Sequence, residues 1–214
     1  MEKTSLIIGF LVCVTVAGQV DADPVSLVAA DFSTLLGGAA APVGVPATAD
    51  MVSGSLKGQV ISQAFTDGLG NYVFLYQLNN TGTAGNSVIE MLTLCPFDGA
   101  SAATTLGYLT ANPPTGFTLG DQAPAGASVD PAAGPTISFG FPNWLDEAVA
   151  PGETSETLYV LSHGPGGVIT GNIINGASAS GDVVGPVPEA TSIALFGLGF
   201  AVLILARTPK EQPC

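Results

Sequence analysis

Residues 55–65 read SLKGQVISQAF, residues 67–71 DGLGN and residues 71–78 NYVFLYQL, and this run decides the fold. In the first stretch Leu56, Val60 and Ala64 fall on one face, with Lys57, Gln59 and Gln63 mostly on the other. A period of two is the signature of a half-buried strand. Asp67-Gly68-Leu69-Gly70-Asn71 is rich in residues that tolerate positive φ and can reverse the chain. After the reversal Tyr72, Phe74, Tyr76 and Leu78 share one side, and Val73 and Leu75 the other. Apolar residues on both sides predict a central strand covered twice. A second polar reversal, Asn79 to Asn86 (NNTGTAGN), leads into Val88, Glu90, Leu92 and Leu94, alternating with Ile89, Met91 and Thr93. The pattern predicts a three-stranded antiparallel meander.

Further along, Asp98 to Gly134 loosens into Ala, Gly, Pro and Thr, with short strand candidates at Leu106–Thr110 and Gly116–Leu119. Asn112-Pro113-Pro114 and Asp130-Pro131 exclude regular ladder pairing at those points. Thr136 to Phe141 (TISFGF) alternates strictly, with Ile137, Phe139 and Phe141 facing one way and Trp144 and Leu145 expected to cap them. Pro151-Gly152 turns the chain into Thr154–Ser162 (TSETLYVLS), His163–Gly167 forms a loop, and Val168–Ile174 is read as the last strand. Gly176–Pro186 reads as a flexible linker. With 28 Gly and 16 Pro as punctuation, the expected fold class is all-β, an antiparallel β-sandwich. No internal repeat is visible.

Both ends are apolar. Glu2-Lys3 and Thr4-Ser5 precede the run Leu6–Ala17, which as a helix covers about 18 Å. That is too short to span a bilayer comfortably, but it suits the core of a signal peptide. Val20-Asp21-Ala22 fits cleavage before Asp23, and Val16-Ala17-Gly18 is a second candidate. Cys13 is no lipidation site, because Val12 is bulky where a small residue is needed. Near the other end Ala190–Ala206 carries no charge and would cover about 25 Å as a helix. Arg207 and Lys210 follow it, which places the tail in the cytoplasm and the body outside.

Val187-Pro188-Glu189-Ala190, then an apolar run containing Leu195-Phe196-Gly197-Leu198-Gly199, then Arg207, resembles the PEP-CTERM sorting signal of Gram-negative bacteria. Ala190 stands where that family usually has a second proline, and the usual arginine cluster is reduced to Arg207 and Lys210. The resemblance covers about the last 25 residues of the chain. It implies recognition of Pro188, Glu189 and Ala190 by an exosortase-like processing enzyme, export, and an exopolysaccharide context. The implied organisation is a signal peptide over 1–22, a β-sandwich ectodomain over 23–175 and a linker over 176–186. A sorting signal with a transmembrane helix over 187–210 and a tail over 211–214 complete it. The protein would sit in the inner membrane facing the periplasm, then reach the cell surface or extracellular matrix once processed. The Pro151-Gly152-Glu153-Thr154-Ser155 stretch also looks like the lead-in to late strands of immunoglobulin-like modules, so the sandwich is expected to be immunoglobulin-like.

Lys and Arg number 4 against 17 Asp and Glu, a formal charge of −13. Phosphate backbones repel such a chain, so nucleic acid is excluded as a partner; the apolar ends point to membrane lipid, and the sorting-signal resemblance implies exopolysaccharide. Cys95 is the only cysteine in the exported segment, so no disulfide can form within it, and a buried strand end is expected there. His163 is the only histidine and no Gly-x-Ser-x-Gly elbow exists, so no serine triad can be assembled. One His and one Cys cannot close a zinc site, and no phosphate-binding loop is present. Carboxylates are the plentiful group. Asp146 with Glu147, or Glu153 with Glu156, would be the pairs for a secreted glycoside hydrolase, the alternative to a non-enzymatic surface or matrix protein. Adjacent strand residues point to opposite faces, however, and Glu153 and Glu156 read as a solvated turn and strand start. Calcium is the better use of exposed oxygens, with Asp67, Asn71 and Asp121 as the loop candidates. Tyr72, Phe74, Tyr76, Phe139, Phe141 and Trp144 could stack on sugar rings, but their strand spacing points to core packing.

Overall fold

The computed structural model describes residues 22–101, 103–131, 134–142 and 148–187. The expected signal helix, the Pro188-Glu189-Ala190 motif, the membrane segment and residues 143–147 lie outside the described residues. Among the described residues no helix is long and apolar enough to cross a membrane.

Two six-stranded sheets face each other. Sheet I holds, in spatial order, β1 (Asp23–Val25), β8 (Gly126–Asp130), β9 (Thr136–Gly140), β6 (Met91–Cys95), β11 (Gly166–Asn175) and β12 (Ala177–Pro186). Sheet II holds β2 (Val28–Asp31), β7 (Leu106–Ala111), β10 (Leu158–Ser162), β5 (Tyr72–Asn79), β4 (Leu56–Thr66) and β3 (Ala41–Ser53). Pairing is antiparallel throughout except between β2 and β7.

The opening stretch folds as its pattern predicts. β4 and β5 form a hairpin from Gln59↔Asn79 to Thr66↔Tyr72. Phe74, Tyr76 and Leu78 enter the cluster between the sheets, while Val73 and Leu75 enter a second cluster on the outer side of sheet II. That second cluster adds Leu35, Phe65, Leu109, Phe117 and Tyr159, so β5 is covered twice. Each such side chain, fully buried, contributes about 1.5–3 kcal/mol. A short 3-10 segment over Phe32–Gly38 supplies the lid, with Phe32 edge-on to Phe65 at 5.0 Å. Ile137, Phe139 and Phe141 are fully buried in the central cluster, on one face as expected.

The meander is corrected at its third strand. β6 does not pair with β5; it crosses to sheet I and lies between β9 and β11. The neighbour of β5 is instead β10, with Val160 opposite Phe74. Strand alternation states which residues face a core, but both sheets face the same core. Leu92 and Leu94 are buried from either side, whereas Met91, Thr93 and Cys95 need an outer face that is not sealed by a second apolar layer. β10 buries Leu158 and Val160 on one face and Tyr159 on the other, which suits the doubly covered slot. Asn80 helps to fix the crossing: its Nδ2 donates to the Val149 and Ser87 carbonyls at 2.9 and 3.0 Å.

The linker reading of 176–186 is also corrected. Residues 177–186 form β12, paired with β11 from Gly166↔Pro186 to Asn175↔Ala177, around Gly176 at φ 60°. Its small residues serve close packing. A Cβ on Gly185 would run into the Ile169 side chain, and Ala179 and Val183 belong to the core. The sandwich therefore runs past 175 to the end of β12. Cys95 is half-buried and not buried, because Leu92 and Leu94 take the inward phase and leave it outward, with Sγ 3.5 Å from the Gly134 carbonyl. Gly116–Leu119 is no strand; it is held by side chains, Gln77 Nε2 donating to the Thr118 carbonyl at 2.8 Å and Gln77 Oε1 accepting from Thr118 N at 3.1 Å.

Candidate functional site

Four loops and the end of β12 meet at one end of the sandwich and enclose a cleft of about 1090 Å³. The β4–β5 turn contributes Asp67, Asn71 and Tyr72. Residues 97–105, between β6 and β7, contribute Phe97, Asp98, Ser101 and Thr105 among others. The β10–β11 loop brings Leu161 to Pro165, the 3-10 segment brings Leu36, and Val187 closes the rim. Tyr72 and Phe97 line the cleft on either side of the buried Phe74. Tyr72 stacks on Phe74 with centroids 6.3 Å apart, and Phe74 meets Phe97 edge-on at 5.8 Å.

The turn at Asp67 is locally determined. Asp67 Oδ1 accepts from Leu69 N at 2.7 Å and Asn71 N at 3.2 Å, and its Oδ2 accepts from Asn71 Nδ2. The Asn71 amide first, and the Leu69 N–H after it, hold this carboxyl below its usual range. Asp67 thus stays ionised at the mouth of the cleft.

β12 ends at this same rim. Val184 N–H donates to Ser62 Oγ at 2.9 Å, and Tyr76 Oη donates to the Val184 carbonyl at 2.6 Å, so two side chains of sheet II clamp β12. Burial pushes the Tyr76 phenol well above its ordinary value, which keeps it a donor. Val187 N–H then donates to the Pro165 carbonyl at 3.0 Å.

The candidate calcium ligands do not converge. Asp67 and Asn71 are bound to each other, while Asp121 lies beside Thr154, whose N–H it accepts at 3.0 Å. Thr154 bridges Asn79, at the far end of the eight-residue β5, roughly 23 Å from the Asp67 turn. Among the described residues no group of three or more His, Cys, Asp or Glu side chains is placed to hold a metal ion.

Of the hydrolase pairs, Glu153 and Glu156 lie among the described residues. Asp146 and Glu147 lie outside the described residues, as do Pro188, Glu189, Ala190, Arg207 and Lys210. Glu153 Oε2 closes its own turn, accepting from Ala150 N at 3.0 Å and from Gln122 Nε2 at 3.4 Å. Glu156 is not the simple solvated carboxylate expected: its Oε2 is buried with no hydrogen-bond partner, and burial raises its pKa, although the residue as a whole is only half-buried. Neither lines the end cleft. His163 is an exposed loop residue, as expected, and stands on the cleft rim. Phe74, Tyr76, Phe139 and Phe141 are core; Tyr72 alone of the described aromatic candidates is half-buried at the cleft.

Sequence reasoning missed Asp98 and Thr105, whose only signal was the turn-prone Pro96-Phe97-Asp98-Gly99. Set against known proteins, the chain matches no family model, no curated protein and no solved structure.

Proposed function

We propose that this is a non-enzymatic exported protein, sorted or anchored by its tail, whose sandwich serves as a structural or adhesive module at the cell surface or in an exopolysaccharide matrix. The observation that carries this reading is the bracketing of an acidic folded body by two apolar runs, Leu6–Ala17 and Ala190–Ala206. Pro188-Glu189 follow β12 in the sequence with only Val187 between, so the motif would be presented next to that strand. The immunoglobulin-like description belongs to the same reading. Its support is the Pro151–Ser155 lead-in, which bridges Asn79 and Gln122 before β10, although six strands per sheet exceed the usual number. The glycoside hydrolase alternative gains nothing from Glu153, whose Oε2 is already engaged in its turn.

The test is the mass of the mature protein recovered from its native envelope. Loss of the leader and of the tail after the Pro188-Glu189 motif is expected. A Pro188→Ala, Glu189→Ala variant should be exported but processed differently. Unchanged size and membrane retention in that variant would leave a simple anchor, and an intact chain in the cytosol would overturn the reading.

A further inference from the structure

We propose that the end cleft binds a neutral glycan, with Tyr72 as its aromatic platform and Asp98, Thr105 and His163 as its hydrogen-bonding groups. This deepens the surface-module reading and rests on it only for the setting in which glycan is met.

The first argument is which polar groups are already committed. Most of those around the cleft satisfy their own loops. Asp67 is engaged by Leu69 and Asn71, Thr104 Oγ1 accepts from Ser101 N, Ser101 Oγ from Ala103 N, and Ser162 Oγ from Gly164 N. Among the described residues, the Tyr72 hydroxyl, the Asp98 carboxylate, the Thr105 hydroxyl and the His163 imidazole make no hydrogen bond. Four uncommitted groups of three different loops border one cavity. They combine acceptors and donors, as a polyol needs.

The second argument is the apolar part. Phe97 is fully buried beneath the cleft, and Leu36 and Leu161 border it. Stacking on Phe74 holds the Tyr72 ring in place. A flat aromatic surface beside hydrogen-bonding groups suits a pyranose, which has an apolar C–H face and a rim of hydroxyls.

Charge selects among ligands. The chain carries −13 overall, and Asp67 is held ionised at the cleft mouth. Uronates, sulfates and phosphates are therefore repelled. A bare metal ion is attracted but finds, among the described residues, a single uncommitted carboxylate, Asp98, which is too few oxygens for a divalent cation. A neutral sugar remains, donating its hydroxyls to Asp98.

The experiment uses the full chain in a zwitterionic detergent that carries no sugar headgroup. Isothermal titration with cellotetraose, maltotetraose and mannotetraose, each neutral, is compared with tetragalacturonate. At least one neutral tetrasaccharide should bind, and Tyr72→Ala and Asp98→Asn should each weaken it by about tenfold or more. Ser138→Ala, on the far face of sheet I, should bind as the parent does. If Tyr72→Ala does not fold, Asp98→Asn and Thr105→Val carry the test. Failure of all three neutral sugars, undiminished binding in the cleft variants, or equal binding of tetragalacturonate would overturn the site. The two readings fail separately. A processed, exported chain that binds no sugar overturns the site alone, and a sugar-binding chain that stays in the cytosol overturns the surface reading alone. Shortened sugars among the products would leave the site standing and remove the word non-enzymatic.

Discussion

The outer faces of the two sheets differ in kind. On sheet II, Val73, Leu75, Leu109 and Tyr159 lie beneath the 3-10 segment in a second apolar cluster. On sheet I a row of short polar side chains runs straight across five strands: Ser128, Ser138, Thr93, Asn172 and Ser180 are successive neighbours. Ser180 Oγ donates to Asn172 Oδ1 at 2.7 Å and Asn172 Nδ2 to Thr93 Oγ1 at 3.2 Å, so part of the row is joined by its own hydrogen bonds. One fold thus carries a three-layer half and a two-layer half among its described residues. The central strands of sheet II must be apolar on both faces, while those of sheet I need only one apolar face.

The most severe way to break the contrast is at Leu75. Leu75→Ala removes a fully buried side chain of the second cluster and should cost about 2–5 kcal/mol in denaturant unfolding. Ser138→Ala, on the half-buried outer face of sheet I, should stay within about 0.5 kcal/mol. Equal losses at the two positions would erase the distinction.

Next comes the edge of sheet I. Gly185→Ala would press a methyl into Ile169 and should destabilise by about 1–3 kcal/mol, read in the same assay. A variant as stable as the parent would return this segment to the linker that its composition suggests.

The smallest effects are pH-dependent and have opposite signs. Burial raises the pKa of Glu156, so the folded state prefers it protonated. Stability attributable to this group is highest below the ordinary carboxylate range and falls as pH rises through the raised pKa. Glu156→Gln should flatten that fall and melt about 1–3 °C higher at pH 7, an effect limited by solvent screening. The hydrogen bonds to Asp67 lower its pKa, so its contribution is present above the ordinary carboxylate range and is lost as pH drops through the lowered value. Asp67→Ala should lose that contribution at neutral pH and with it the acid-side decline. Melting curves of both variants between pH 3 and 8 check the signs, and a shared sign would contradict the contrast between the orphaned and the satisfied carboxylate.

The cleft shows why a site is harder to foresee than a strand. Its members come from residues 36–37, 67–72, 97–105, 161–165 and 187, and no local spacing links them. Only Tyr72, and with it Asp67, Asn71 and His163, stood out in the sequence. Asp98 and Thr105 sit in a stretch whose composition reads as loose connection. What distinguishes them is that neighbouring hydroxyls are occupied within their own loops and these two are not.

The chain's own pattern was enough to give the two faces of β5, the Asp67 turn, the inward phase of Ile137, Phe139 and Phe141, and the negative charge that excludes polyanions. Those properties are local: side chains alternate every residue along a strand, and charge is a sum. Tertiary structure alone decided that β6 joins the opposite sheet, that 177–186 is a strand, and that β12 ends under the clamp of Ser62 and Tyr76. Partner choice depends on which face of a neighbouring sheet is still uncovered, and glycine is silent in the sequence about whether it marks a loose chain or a surface pressed against Ile169.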